Sequence, residues 1–242
     1  MLSTEIQEKV NKWLTGSYDE ATKNAIKKLL DENNENEIVD SFYKDLEFGT
    51  GGLRGIMGVG SNKMNRYTIA TTTQGIYNYL AKCFPGEQIK VAIAHDSRNN
   101  SSYFARVTAE IFSANGAKVY LFKELRPTPE LSFAIRHFGC HSGVVITASH
   151  NPKEYNGYKA YWNDGAQMVP PHDKNSILEV QKITDINEVK FNKIDSNIIE
   201  IGEEVDKAYI EKIATLSIAK EAIQRQKNLK IVFTPLHGTG IT

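Results

Sequence analysis

The sequence predicts an α/β fold, a largely parallel sheet with helices on both faces. Three observations carry this. From residue 68 to residue 146, helix-period segments alternate with short apolar, β-branched runs. Turn and stop signals such as Pro85-Gly86 and Asn115-Gly116 separate them. Hydrophobic residues make up 40% of 242 residues, enough to fill a real core.

Residues 4–47 are predicted to be helical. Glu5 to Leu14 and Thr22 to Leu30 space apolar residues three to four apart, with a turn at Gly16-Ser17-Tyr18-Asp19 between them. The acidic run Asp31 to Glu37 reads as a solvated helix end and loop, because nothing apolar would fix its carboxylates around a metal. Phe48 to Gly60 is so rich in glycine that a loop is expected, with the backbone free to approach a ligand. Thr68 to Lys82 follows as a helix and Ile89 to Ala94 as a strand. Ser102 to Ala114 is a helix and Lys118 to Phe122 a strand. Pro127-Thr128-Pro129 opens a helix to about Phe138, with Thr128 able to cap it and Pro129 suited to its first position. Gly143 to Ile146 is a third strand, Gly157 to Trp162 a short extended piece and His172 to Lys182 a helix. Residues 183–204 look polar and irregular. The expected division is therefore a first domain over 1–190, a linker over 191–204 and the start of a second domain over 205–242. Within that second part, Asp206 to Ala222 reads as a helix and Leu229 to Phe233 as a strand. That strand has no later partner helix to bury both its faces, so the chain is expected to be a fragment of a longer protein.

The formal net charge is zero, which argues against a nucleic-acid binder. The N-terminus lacks a signal-peptide layout, and no apolar run approaches the length of a membrane span. Cys83 and Cys140 form neither a disulfide framework nor a metal-type spacing. Both read as reduced core or near-core thiols, and a cytoplasmic location is expected.

Three segments carry chemistry. Phe48 to Gly60 fits neither a dinucleotide fingerprint nor a Walker loop, since Arg54 occupies the last glycine position and the Walker lysine is missing. What remains is an arginine among glycines, either a plain turn or a phosphate-matching guanidinium with cleared space around it. Asp96 and Arg98 follow a strand at its C-terminal end, where ligands of open α/β sheets gather. Arg98 is thus a candidate phosphate ligand, and an Asp–Arg pair bracing the loop is the alternative. The third segment is Thr147-Ala148-Ser149-His150-Asn151-Pro152, followed by Asn156-Gly157-Tyr158-Lys159. Ser149 lacks the Gly-x-Ser-x-Gly elbow of a serine hydrolase. His150, as its direct neighbour, is expected to diverge from the hydroxyl rather than deprotonate it. A phosphate carried on Ser149 would instead find His150, Asn151, Lys159, Arg54 and a divalent cation as partners. A surface serine in an Asn-Pro turn is the other reading.

The stretch Thr147 to Pro152 with Asn156 to Lys159 resembles the active-serine signature of the α-D-phosphohexomutases, the phosphoglucomutase/phosphomannomutase family. Phe48 to Gly58 resembles that family's first catalytic loop, and Thr234 to Gly240 the loop after the first strand of its second domain. Gly49 to Gly55 and Asn156 to Lys174 look nearest to the phosphoglucomutase-2-like and phosphopentomutase-like subgroup. The resemblance implies a three-layer α/β/α first domain and a phosphoserine at Ser149 that binds Mg²⁺ through its phosphate. It further implies exchange of that phosphate with a sugar 1-phosphate or 6-phosphate (or 5-phosphate) through a sugar bisphosphate, with a bisphosphate of the glucose 1,6-bisphosphate type as activator. Lys159 would move the hydroxyl proton and Arg54 would stabilise charge. The remaining metal ligands are expected beyond Thr242, so residues 1–242 alone are expected to be inactive. The implied partners are small sugar phosphates, with no nucleic acid and no membrane, in a monomer or weak oligomer.

Overall fold

A computed structural model describes residues 2–49, 51–236 and 238–240. Three helices open the chain: α1 (Thr4–Thr15), α2 (Glu20–Asp31) and α3 (Glu35–Phe42). Ser3, Asp19 and Asn34 cap them by accepting from backbone N–H groups of the first turns. The acidic run is a helix end and a short loop over 32–34, as expected, followed by a new helix. It ends α2 and starts α3, where Glu35 and Glu37 suit the helix N-terminus. Trp13 stacks on Tyr18 at 4.3 Å and meets Phe42 and Tyr67 edge-on, which ties these helices to the rest.

The strands are β1 (Phe48–Gly49), β2 (Gly52–Ile56), β3 (Lys90–His95), β4 (Lys118–Phe122), β5 (Ser142–Ile146), β6 (Tyr155–Trp162) and β7 (Ile198–Ile201). Among the described residues they form one sheet in the order β1-β2-β6-β5-β3-β4-β7. The three ladders among β5, β3, β4 and β7 are parallel, and the three among β1, β2, β6 and β5 are antiparallel. The parallel half carries the predicted rhythm. Helices α4 (Arg66–Cys83), α5 (Ser101–Ala114), α6 (Thr128–His137) and α7 (His172–Gln181) lie within two residues of their predicted ends. Pro127, not Thr128, occupies the cap position of α6.

Alternation along the strands separates two cores. Val91 and Ile93 of β3 pack with α4, α5 and the N-terminal helices, while Ala92 and Ala94 pack on the other side with Leu131, Ala134 and Ile135 of α6. The sheet is therefore covered on both faces, as predicted. Helix α7 packs along α4, where a Cβ on Gly75 would come within 2.5 Å of Val180.

The segment after residue 183 departs from the sequence expectation. Part of the supposed linker is β7, which pairs with β4 from Val119↔Ile198 to Phe122↔Ile201. Helix α8 (Glu203–Ala214) then packs on α6 with Val205 fully buried. The sheet thus continues past residue 190. Four residues with one charge among them are too short a pattern to announce an edge strand, and only pairing with β4 fixes it. The predicted helix 206–222 is also broken, into α8 and a short α9 (Lys220–Arg225). Leu229 to Phe233 forms no strand here, and Val232 and Phe233 are exposed. Strand hydrogen bonds need a neighbour, and none lies beside it among the described residues. His237 of the predicted loop 234–240, like Thr50 of the first, lies outside the described residues. Cys140 is buried and free, and burial pushes its thiol up to about 12. Cys83 is exposed, contrary to the core placement expected for both. No helix of the described residues is long and apolar enough to cross a membrane.

A buried charge cluster locks α8 to α6. Arg126 donates from Nε and Nη2 to the two carboxylate oxygens of Asp206, at 2.6 and 2.8 Å. Glu130 lies 4.0 Å from the same guanidinium. Burial first, then its hydrogen bond to Asp206 and that residue's charge, push the Glu130 carboxyl up to about 8. The folded chain therefore holds a proton that the unfolded chain releases in the ordinary carboxylate range. This contribution to stability is complete at low pH and is lost as pH rises through about 8. Glu130→Gln, neutral at every pH, is expected to flatten the fall in melting temperature between pH 5 and about 8, measured by thermal denaturation across a buffer series. An unchanged slope would count against this cluster as its source.

Candidate active site

The Ser149 loop forms because β5 runs out of apolar residues at Ile146. The Thr147 amide still donates to Gly157 O at 2.9 Å, which prolongs the pairing with β6 by one step. The chain then turns. Thr147 Oγ1 accepts from the Ser149 amide at 3.0 Å, and the Asn151 amide donates to Ala148 O at 3.1 Å. Ser149 has φ of 57°, a left-handed conformation disfavoured for residues with a Cβ. Its side chain and that of His150 are exposed above a buried Ala148. The left-handed turn also corrects the expected divergence of the two neighbours: His150 Nδ1 lies 3.3 Å from Ser149 Oγ. Sequence adjacency alone suggests that the side chains part, but the positive φ swings them together.

The glycine-rich segment is a loop only in part: it holds β1 and β2, and residues 58–60 remain a bend. Its glycines serve strand packing. A Cβ on Gly52 would meet Tyr158 O at 2.1 Å, and one on Gly157 would meet Thr147 O at 2.5 Å and Leu53 O at 3.0 Å. The pairing sets Gly157 opposite Arg54 and Gly52 opposite Lys159. Residues directly opposite share a face, so Arg54 and Lys159 are diagonal neighbours on one face of the sheet. That is the face of Tyr161, away from the core that holds Leu53 and Tyr158. Gly157→Ala is expected to cost about 1–3 kcal/mol, because the added methyl group meets backbone on both sides. Urea unfolding of the variant measures it, and an unchanged midpoint would show that β2 and β5 can spread freely.

Arg54 is exposed and Lys159 half-buried. Burial and the Arg54 charge hold the Lys159 ammonium below its usual range, with Asp96 opposing them. Of the predicted site residues, the structure therefore brings together Ser149 with His150, and Arg54 with Lys159. Asn151 lies in the same loop, and its Oδ1 is buried without a hydrogen-bond partner.

Arg98 is placed differently from the phosphate ligand expected of it. Its side chain is 13% exposed and turns inward under the Ser149 loop, where it donates to Ser149 O and Asn151 O at 2.6 Å each. Sequence reasoning weighed this bracing role beside the ligand role, with Asp96 as partner. The partners observed are mainly carbonyl oxygens, for which no sequence signal exists. Asn156 and Ser101 were also missed. Asn156 is fully buried and donates to Asn99 O and Ser101 Oγ, both at 3.0 Å. A polar residue immediately before a strand glycine is the faint signal that could have found it.

Against known proteins, residues 45–187 match the model of the phosphoglucomutase/phosphomannomutase alpha/beta/alpha domain I. This chain belongs to the phosphoglucomutase/phosphomannomutase family. It is 35% identical to the phosphopentomutase of Homo sapiens over 97% of its own length and 40% of that protein's. It is 40% identical to a phosphoglucomutase of Staphylococcus haemolyticus over 83% of its length and 36% of that protein's. A crystal structure from Thermus thermophilus with a provisional phosphomannomutase name superposes with a TM-score of 0.61 at 26% identity. That match covers 73% of this chain and 37% of the other. The chain thus spans about two-fifths of the length of its curated relatives. Mg²⁺ is the ion expected at Ser149 from the sequence resemblance. Among the described residues, however, no group of three or more His, Cys, Asp or Glu is arranged to hold a metal. Magnesium therefore finds no ready-made site among the described residues, and a phosphate on Ser149 is the link these residues could offer it.

Proposed function

We propose that this chain is the active-serine part of a phosphosugar mutase, in which Ser149 carries the phosphate that is exchanged with a sugar phosphate. The observation that carries the reading is the exposed Ser149 held at positive φ at the end of β5, on the sheet whose β2–β6 pair presents Arg54 and Lys159. In the proposed step, a sugar hydroxyl oxygen bonds to the phosphorus as the phosphorus–Oγ bond of Ser149 breaks. The hydroxyl proton passes to the neutral amine of Lys159, while the freed Ser149 Oγ takes a proton from the adjacent His150 Nδ1 and returns it there when it attacks again. The resulting bisphosphate reorients and returns its other phosphate to Ser149, and Lys159 gives its proton back to the freed sugar oxygen. One sugar phosphate has then become its isomer, 1-phosphate for 6-phosphate or 5-phosphate. Arg54 supplies fixed positive charge, and His150 and Asn151 supply donors to the serine-bound phosphate. Mg²⁺ would add charge neutralisation at that phosphate, and a sugar bisphosphate would load it.

The names of the relatives support both hexose and pentose phosphates as substrates to try. The test is to incubate the full-length protein with labelled glucose 1,6-bisphosphate and ribose 1,5-bisphosphate and to map the label. Phosphate on Ser149 is expected. Phosphate confined to another residue would reject the reading.

The contact between Ser149 Oγ and His150 Nδ1 favours one rival, a hydrolase with a serine nucleophile. Among the described residues, though, no carboxylate is hydrogen-bonded to His150 to orient it, and its ring is exposed. Labelling of Ser149 by a fluorophosphonate would support that rival.

A further inference from the structure

Arg98 is an arginine whose terminal donors are all accounted for. Nη1 donates to Pro152 O at 3.0 Å and to Tyr155 O at 3.2 Å. Nη2 donates to Ser149 O and Asn151 O, both at 2.6 Å. Four N–H bonds thus meet four carbonyl oxygens, three in the serine loop and one at the first residue of β6, 51 to 57 residues away in sequence. On its other edge, Nε faces Asp96 Oδ2 at 3.5 Å. Asp96 is itself fixed, since its Oδ1 accepts from the Arg98 amide at 3.0 Å and from Ser101 Oγ at 2.6 Å. Asn156, at the start of β6, donates to that same Ser101 hydroxyl. The chain from Asn156 through Ser101 and Asp96 to Arg98 therefore anchors the loop to β3, α5 and β6 together.

We infer that Arg98 is a positioning residue for Ser149: its guanidinium holds the serine loop in its left-handed turn without touching the sugar or its phosphate. The role presupposes that Ser149 carries the transferred phosphate, as proposed above. Two physical consequences follow from the geometry. The Ser149 carbonyl is gripped by Arg98 and the Ser149 amide by Thr147 Oγ1, so the peptides on both sides of the residue are held and the disfavoured φ of 57° has no free peptide through which to relax. Four carbonyl dipoles also end on a cation rather than facing a dianionic phosphate on the same loop. A lysine would keep the charge but offers three donors from a single point, so it cannot serve four carbonyls in the plane of a fork.

The test compares wild type with Arg98→Lys in the full-length protein, following Ser149 phosphorylation by labelled sugar bisphosphate and mutase kinetics on the sugar phosphate that loads it. Arg98→Lys is expected to lower kcat on the order of 100-fold, as for a displaced reacting group, with KM within about threefold of wild type. The ³¹P resonance of phosphoserine, single in wild type, is expected to broaden or split as the loop samples other conformations. Wild-type kcat in the variant overturns the inference. So does a large rise in KM at unchanged kcat, which would make Arg98 a direct ligand of the substrate phosphate. If Arg98→Lys does not fold, Ser101→Ala takes its place, since it leaves Arg98 intact and removes one hydrogen bond each from Asp96 and Asn156. It must then show a kcat-only loss of about fivefold, the scale of one lost hydrogen bond, and its absence also overturns the inference. Failure of wild type to take phosphate at Ser149 at all rejects the mutase reading itself, an outcome distinct from a phosphorylated wild type with an equally active variant.

Discussion

Ser149→Ala is expected to abolish both phosphate uptake from a sugar bisphosphate and turnover of sugar phosphates, to below about 10⁻⁴ of wild type, because no covalent carrier remains. The loss should come without a loss of fold. Ser149 is exposed, its side chain contacts only His150 Nδ1 in the hydrogen-bond network of the described residues, and the turn is held by backbone groups, Thr147 and Arg98. The melting temperature is therefore expected to move by no more than a degree or two from the wild-type value, by the usual scale of surface substitutions. Activity surviving in Ser149→Ala would mean that phosphate passes directly between sugars or through another residue. The His150 neighbour would be the first to examine by mass spectrometry.

Lys159 should show the second-largest effect. Lys159→Gln is expected to reduce kcat by about 10²–10⁴, the range of a positioned acid or base. Lys159→Arg should recover little, since an arginine keeps the charge but does not release its proton. The pH profile separates proton transfer from mere charge. Burial and the Arg54 charge disfavour the ammonium form, so a neutral amine is available at lower pH than for an ordinary lysine. In the direction where Lys159 takes the proton, the rate should climb with pH and level off below the ordinary lysine range. Removing the neighbouring cation with Arg54→Gln makes the ammonium easier to keep, so the remaining activity should climb at higher pH than in wild type. A limb that stays in place, or moves down, would remove Lys159 as the titrating group.

The parallel half of the fold was legible because its signals are local. Ile89 to Ala94 and Gly143 to Ile146 are dense apolar runs with marked ends, and the helices between them carry their own stops. The antiparallel half was hidden. In β2 the alternation that marks a strand is erased by glycines at 52 and 55, which are there because neighbouring groups come too close for a Cβ. Strand β7 escaped for the opposite reason: four residues on a sheet edge carry little pattern, and β4 decides their conformation. Leu229 to Phe233 had the pattern of a strand but no described neighbour to pair with.

By itself the sequence determined which groups are available: a serine after a buried strand, a lysine ten residues on, an arginine among glycines, in an order specific enough to mark the family. Only the tertiary structure decided how they are used. The register of β2 on β6 sets Arg54 and Lys159 on one face, although they are 105 positions apart. The positive φ of Ser149 brings His150 alongside it, and the Arg98 guanidinium donates to carbonyl oxygens of the serine loop. Residue types are a property of the chain, but pairing register and the destination of each backbone carbonyl come from long-range contacts that exist only once the sheet has formed.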